Sequence, residues 1–297
     1  MTHTNTMSNQ PIIATLVTGA EAFADFQTLL FTLRQWHTGA EVFVATDSPT
    51  AARIIGILDS KHIRVHLRVT LDAYVGKTRA DMEATSGRRF TTLFHDYTAE
   101  KIKLMRDVLS TTQTTHGVWF LDADICLMSA LPNIPDTATV ALSPHYIRAA
   151  DEARYGRYNA GFLWIRSTEP LDVWNAAMTG SRFFEQAALE VVAAKAEPGT
   201  LFEIAIQNNF GWWRLFQSAD APPVIESRLA FFRAADSVGL RYAGETLRSI
   251  HTHWTDKRET PGSAGLFNKW ILARLEFLAR SHKPAKALLT HLKKLRS

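Results

Sequence analysis

Cysteine is nearly absent: Cys126 is the only one in 297 residues. That excludes an internal disulfide and a cysteine-rich zinc site, and its apolar setting reads as an inert buried thiol. Long apolar runs are missing too. No stretch approaches the roughly 18 consecutive apolar residues of a membrane-spanning helix. The opening, MTHTNTMSNQP, has none of the apolar centre of a signal peptide. A cytoplasmic protein is the default expectation, with residues 1–10 disordered. A basic excess is confined to one region. The net charge is +4, yet residues 266–297 carry eight Lys or Arg against one acid, Glu276. The body is therefore slightly acidic, which argues against a nucleic-acid partner. What remains, 46% hydrophobic and 21% charged, is ordinary for a globular chain long enough to bury a large core.

Residues 11–18 (PIIATLVT), 41–46 (EVFVAT) and 63–69 read as strands, with helical patterns at 22–36 and from Arg53 to Leu58. Such alternation builds a mostly parallel sheet with helices on both faces. Residues 75–98, mixed in Thr, Arg, Gly and Asp, are expected to form a long loop or irregular helix. An amphipathic helix at 100–109 follows. Short strands are expected at 139–142 and 161–165, and helices at 171–178, 183–195 and 203–210. Residues 211–216 (GWWRLF) suit a strand or a buried turn.

The densest chemical signal is VWFLDADICL, residues 118–127. A four-residue apolar run reads as a buried strand and ends in two carboxylates, Asp122 and Asp124, at the sheet edge where α/β proteins bind ligands. The pair suits a hard divalent cation that in turn holds phosphate oxygens, although Asp also serves simply to cap turns. Further on, Asn159-Ala160-Gly161 combines a donor-and-acceptor amide with two small residues that let a ligand approach the backbone. His251 and His253 share a face if their segment is extended. Either imidazole can complete a divalent site, and Lys257 nearby can neutralise a diphosphate. Glu185-Gln186 opens an apolar helix, and Lys101 and Lys103 lie on the helix before the carboxylate strand.

In order and spacing these pieces resemble a nucleotide-sugar glycosyltransferase of the GT-A type, nearest to glycosyltransferase family 8 and glycogenin-like enzymes. The matching residues are Asp122-Ala123-Asp124, Asn159-Ala160-Gly161, Glu185-Gln186 in place of Asp-Gln, and His251 with Lys257 six positions later. The chain departs from the family pattern at Trp254 and at Arg258-Glu259. The resemblance implies a GT-A, Rossmann-like α/β domain over residues 11–258. It implies Mn²⁺ or Mg²⁺ on Asp122, Asp124 and His251, with His253 the second choice. Lys103, Lys257, Thr18 and Gly161 would contact the nucleotide, and Asn159, Glu185 and Gln186 the donor sugar. The reaction implied is retaining transfer from a nucleoside-diphosphate sugar, UDP favoured, to a glycan or lipid-linked acceptor. A sugar-nucleotide nucleotidyltransferase is the alternative enzyme, but residues 17–22 (VTGAEA) lack its glycine-rich loop; a non-catalytic binding protein of the same fold is the other. Residues 259–297 read as a basic, amphipathic helical tail. Leu266, Trp270, Ile271, Leu275 and Leu278 form a stripe that either docks on the body or meets an anionic membrane at its inner face.

Overall fold

The computed structural model describes residues 10–58, 62–145, 148–217, 220–234 and 236–296. The disorder expected at 1–10 falls, Gln10 apart, outside the described residues. In chain order the elements are β1 (Ile12–Val17), α1 (Gly19–Trp36), β2 (Glu41–Thr46), α2 (Ser48–Ile55), β3 (Arg64–Val69), α3 (Arg79–Ala84), α4 (Leu93–Thr112), β4 (Val118–Leu121), β5 (Ile125–Leu127) and β6 (Val140–Pro144). There follow α5 (Ala149–Tyr155), β7 (Tyr158–Ile165), α6 (Glu169–Ala177), α7 (Phe184–Lys195), β8 (Leu201–Glu203), β9 (Phe210–Gly211), α8 (Pro222–Ser227), β10 (Leu229–Arg233), β11 (Val238–Tyr242), β12 (Glu245–Leu247), β13 (Ser249–His251), α9 (Ala264–Ala279) and α10 (Lys283–Arg296).

Seven strands form the main sheet in the order β3-β2-β1-β4-β7-β6-β8. The first four are mutually parallel, whereas β7 runs antiparallel to both β4 and β6. Both faces are covered, so the central strands read as near-continuous apolar runs instead of alternating ones. Ala14, Phe43 and Phe120 pack on one face against α4, α6 and α7. Ile13, Val42 and Leu121 pack on the other against Phe26, Leu29 and Leu33 of α1. Two three-stranded sheets, β5-β13-β9 and β10-β11-β12, stand beside the main one.

Three expectations change. Helix α4 starts at Leu93, seven residues before the expected residue 100, because Thr92 caps it by accepting the His95 N–H. Much of 75–98 is thus helical, and α3 also opens with a capping box at Thr78 and Asp81. Residues 203–210 are not a helix: they are the end of β8, a 3₁₀ turn over Ile206–Asn208, and the start of β9. A further 3₁₀ stretch, Trp212–Gln217, follows β9 directly, so 212–216 are the turn and only Gly211 belongs to a strand.

The tail is a helical hairpin whose stripe is already occupied. Trp270, Ile271 and Leu275 of α9 are buried with Leu288 and Leu292 of α10 in a third core, which also holds Leu229, Leu240 and Ile250. Lys269, Arg274 and Lys293 pair with Glu259, Glu226 and Glu276. Of the two alternatives expected for this stripe, its buried side chains take the docked one, against their own domain. Among the described residues, no helix is long and apolar enough to cross a membrane.

Candidate metal and sugar-nucleotide site

Strand β4 runs out at Leu121 because its antiparallel pairing to β7 ends there, opposite Phe162. Asp122 leaves the strand with its N–H donating to the Gly161 carbonyl at 2.8 Å, and a turn returns the chain through Ile125 N–H to Asp122 C=O at 3.2 Å. The following β5 pairs antiparallel with β13, which sets His251 opposite Ile125. Thr252 N–H then donates to the Asp124 carbonyl. This pairing carries an imidazole across 127 positions of sequence to the two carboxylates, and one ligating atom from each of Asp122, Asp124 and His251 lies within 4.8 Å of the others. His251 Nε2 is 3.1 Å from Asp124 and 3.9 Å from Asp122.

Two carboxylates and one imidazole form an oxygen-rich donor set suited to Mn²⁺ or Mg²⁺. Their electrostatics are unequal. Burial raises Asp122 above the usual carboxylate range in spite of Lys101 beside it. At Asp124 burial also opposes ionisation, but His251 and His253 prevail and hold the group well below that range. His253 lies outside the cluster. Its Nδ1 sits between Asp124 at 3.2 Å and Asp25 at 3.6 Å, and Asp124 first, then Asp25, push it up to about 9. Asp25, buried on α1, is itself raised to about 6 by burial and also accepts the Trp254 N–H. His253 therefore clamps two carboxylates, and the second-choice ligand is corrected to a neighbour.

The glycine at 161 is obligatory. A Cβ there would lie 2.2 Å from Asp122 Oδ2 and 2.8 Å from the His251 ring. It sits in an irregularity of β7, where pairing to β6 jumps from Leu142–Leu163 to Ser143–Asn159. Bulges of this kind re-aim groups beside binding sites.

Lys101, not Lys103, reaches the site. Its ammonium lies 3.1 Å from Asp122 and 2.9 Å from Glu185, donates to the Ala160 carbonyl and rests over the Phe120 ring. Burial would strip its charge, but the two carboxylates outweigh burial and keep it protonated. Lys103, expected from its spacing to Asp122, is two residues further on a helix and so points away, to Glu100 at the surface. Lys257 is exposed on the loop after β13. Thr18 bonds Tyr97 and, with Gly19, Asp47, Tyr74, Gly76 and Lys77, lines a cleft of about 250 Å³ at the C-terminal ends of β1 and β2.

Asn159 is fully engaged within the protein. Its Nδ2 donates to His145 Nε2 at 2.8 Å and to Gln186 Oε1 at 3.3 Å, and its Oδ1 accepts from Gly161 N–H and Asn209 Nδ2. Both protons and both lone pairs are used, so the expected grip on a sugar hydroxyl is corrected to an internal hub. Glu185 is likewise committed to Lys101, while Gln186, beside it, donates to the Tyr155 carbonyl. His145, Asn209 and Asp25 went unanticipated. The signal for Asn209 was legible: Gln207-Asn208-Asn209 is a polar triplet between apolar residues in AIQNNFGWW. Cys126 is buried, with its thiol pushed up to about 12 by burial.

No family model and no curated protein matches the chain. Solved structures do. The galactosyltransferase LgtC in complex with donor and acceptor sugar analogs aligns with a TM-score of 0.50 at 12% identity, covering 87% of this chain and 94% of that one. The apo-form glycosyltransferase GlyE of Streptococcus pneumoniae TIGR4 aligns with a TM-score of 0.54 at 11% identity, covering 92% of this chain and 64% of that one. At such identities the likeness is one of fold: the chain has the mixed α/β, GT-A-like fold of these glycosyltransferases, with a three-residue cluster that could hold a metal ion at its carboxylate edge.

Proposed function

We propose that the protein is a metal-dependent glycosyltransferase of the family 8 kind, moving a sugar from a nucleoside-diphosphate donor, UDP foremost, to a hydroxyl of a glycan or lipid-linked acceptor. The observation that carries this reading is the meeting of Asp122, Asp124 and His251 at the end of β4, on a fold shared with glycosyltransferases. Asp122, Asp124 and His251 would hold Mn²⁺ or Mg²⁺, which when bound supplies charge to offset that of the leaving diphosphate. The cleft beside Thr18 and Asp47 would receive the nucleoside. Asp47 keeps its shape by accepting the Gly19 N–H at 3.1 Å and the Thr50 N–H at 2.8 Å. Lys101 holds Asp122 and Glu185 in place from below. Gln186, whose Oε1 accepts from Asn159 and keeps a second lone pair, would meet the donor sugar. Retention is favoured because Glu185, the carboxylate next to the triad, is salt-bridged to a buried lysine and is poorly placed to serve as the free base of an inverting attack.

The test is a screen of UDP-, GDP-, CMP- and dTDP-sugars for donor hydrolysis with Mn²⁺, alongside Asp122→Asn and Asp124→Asn. Mn²⁺-dependent release of the nucleotide by the wild type, abolished in both variants with the fold intact, is expected. Full turnover by both variants at limiting Mn²⁺ would sink the assignment.

A further inference from the structure

Asn209 is buried completely and stands behind His251, with its Oδ1 3.0 Å from His251 Nδ1. Which atoms carry the protons follows from one fixed group. Gly161 N–H is a backbone donor and cannot reverse. It faces Asn159 at 2.9 Å, so the atom there must be the amide oxygen. The other end of Asn159 is then its NH₂, which makes His145 Nε2 an acceptor. Asn209 also approaches the Asn159 oxygen, at 3.0 Å, and so must present its NH₂ there. Its remaining atom, the one against His251, is consequently an oxygen. An oxygen of that kind only accepts, so the proton between them sits on His251 Nδ1. Nε2 is thereby the ring nitrogen turned towards Asp122 and Asp124.

We infer that Asn209 is a positioning residue, which locks His251 in the Nδ1–H form and so presents Nε2 as the metal ligand, with Asn159 setting its polarity. The inference rests on the metal reading above. The device is economical because every member is buried: Asn159, His145 and His251 are each less than a tenth exposed, so no water competes for these bonds. Partners of this kind, one bond behind a ligating imidazole, typically govern metal affinity by about 10- to 100-fold.

Binding of Mn²⁺ alone to the full chain, read from the loss of the free-ion electron paramagnetic resonance signal, separates the possibilities. Asn209→Ala is expected to weaken binding by about 10- to 100-fold. Asn209→Asp, whose carboxylate still accepts the Nδ1 proton but loses the donor to Asn159 Oδ1, is expected to retain more affinity than Asn209→Ala. Wild-type affinity in Asn209→Ala, or equal loss in both variants, overturns the inference while leaving the metal reading standing. A wild-type chain that binds no Mn²⁺ overturns both. If Asn209→Ala does not fold, the wild type still decides: in ¹⁵N-histidine-labelled protein loaded with Zn²⁺, the His251 proton is expected on Nδ1, and a proton on Nε2 overturns the inference.

Discussion

Lys101→Met keeps most of the length and apolar stem of the lysine and removes only its charge. The ammonium satisfies Asp122 and Glu185 together, so its loss strands two carboxylates that were taken out of water in its company. Removing one partner from a buried ion pair costs about 3–5 kcal/mol. The carboxylates do not share that cost equally. Asp122 retains 30% side-chain exposure and can be partly rehydrated, whereas Glu185 retains 10%, so most of the penalty falls on Glu185. For a chain of this size a loss near the lower limit, about 3 kcal/mol, lowers the melting temperature by roughly 5 °C. Glu185→Gln in the same background should recover a substantial part, because a neutral amide does not need a counter-ion. Calorimetric melting of the wild type, Lys101→Met, Glu185→Gln and the double variant measures this coupling. A Lys101→Met protein within about 1 kcal/mol of wild type, or a double variant less stable than Lys101→Met alone, would refute the reasoning.

Gly161→Ala should abolish Mn²⁺ binding and cost about 1–3 kcal/mol, since the new methyl displaces Asp122 Oδ2 and the His251 ring; chemical denaturation and metal titration check both, and retained affinity would mean the ligands do not converge there. His251→Ala should weaken calorimetric binding of UDP with Mn²⁺ more than His253→Ala, because only His251 joins the three-residue cluster, and the reverse ranking would transfer the ligand role to His253. Docking of the tail should be acid-sensitive through His291, which bonds Thr28 and stacks on Phe31. Burial, with Lys294 and Arg34, lowers it from 6.5 to about 4, so the unfolded chain binds the extra proton between those values. Its stabilising share is complete above about pH 6.5 and fades as pH falls towards 4. The melting temperature of His291→Gln should therefore drop less on acidification than that of wild type, and parallel curves would contradict it.

Much of this protein is written in local sequence. Residues 118–121 are apolar without alternation because both faces of their sheet are covered, and Asp122 and Asp124 follow immediately because the strand ends at a ligand-binding edge. The small residues at 160 and 161 likewise announced a close approach, and the approach is that of Asp122. Only the tertiary structure decided which distant groups complete the site. His251, the first choice on resemblance, is brought to the carboxylates by the register of β13 on β5, which no local pattern encodes. Lys101 is chosen over Lys103 by helical phase, since two residues along a helix turn the side chain to the opposite side. Asn159 carries the composition of a sugar-binding amide, yet Asn209, His145, Gln186 and Gly161 consume its bonding capacity, and those partners come from four separate segments. The tail shows the same division. Its apolar stripe and basic residues were legible, but an apolar stripe specifies only that something must cover it, and the covering surface here is supplied by β10, β11 and α10 of the same chain.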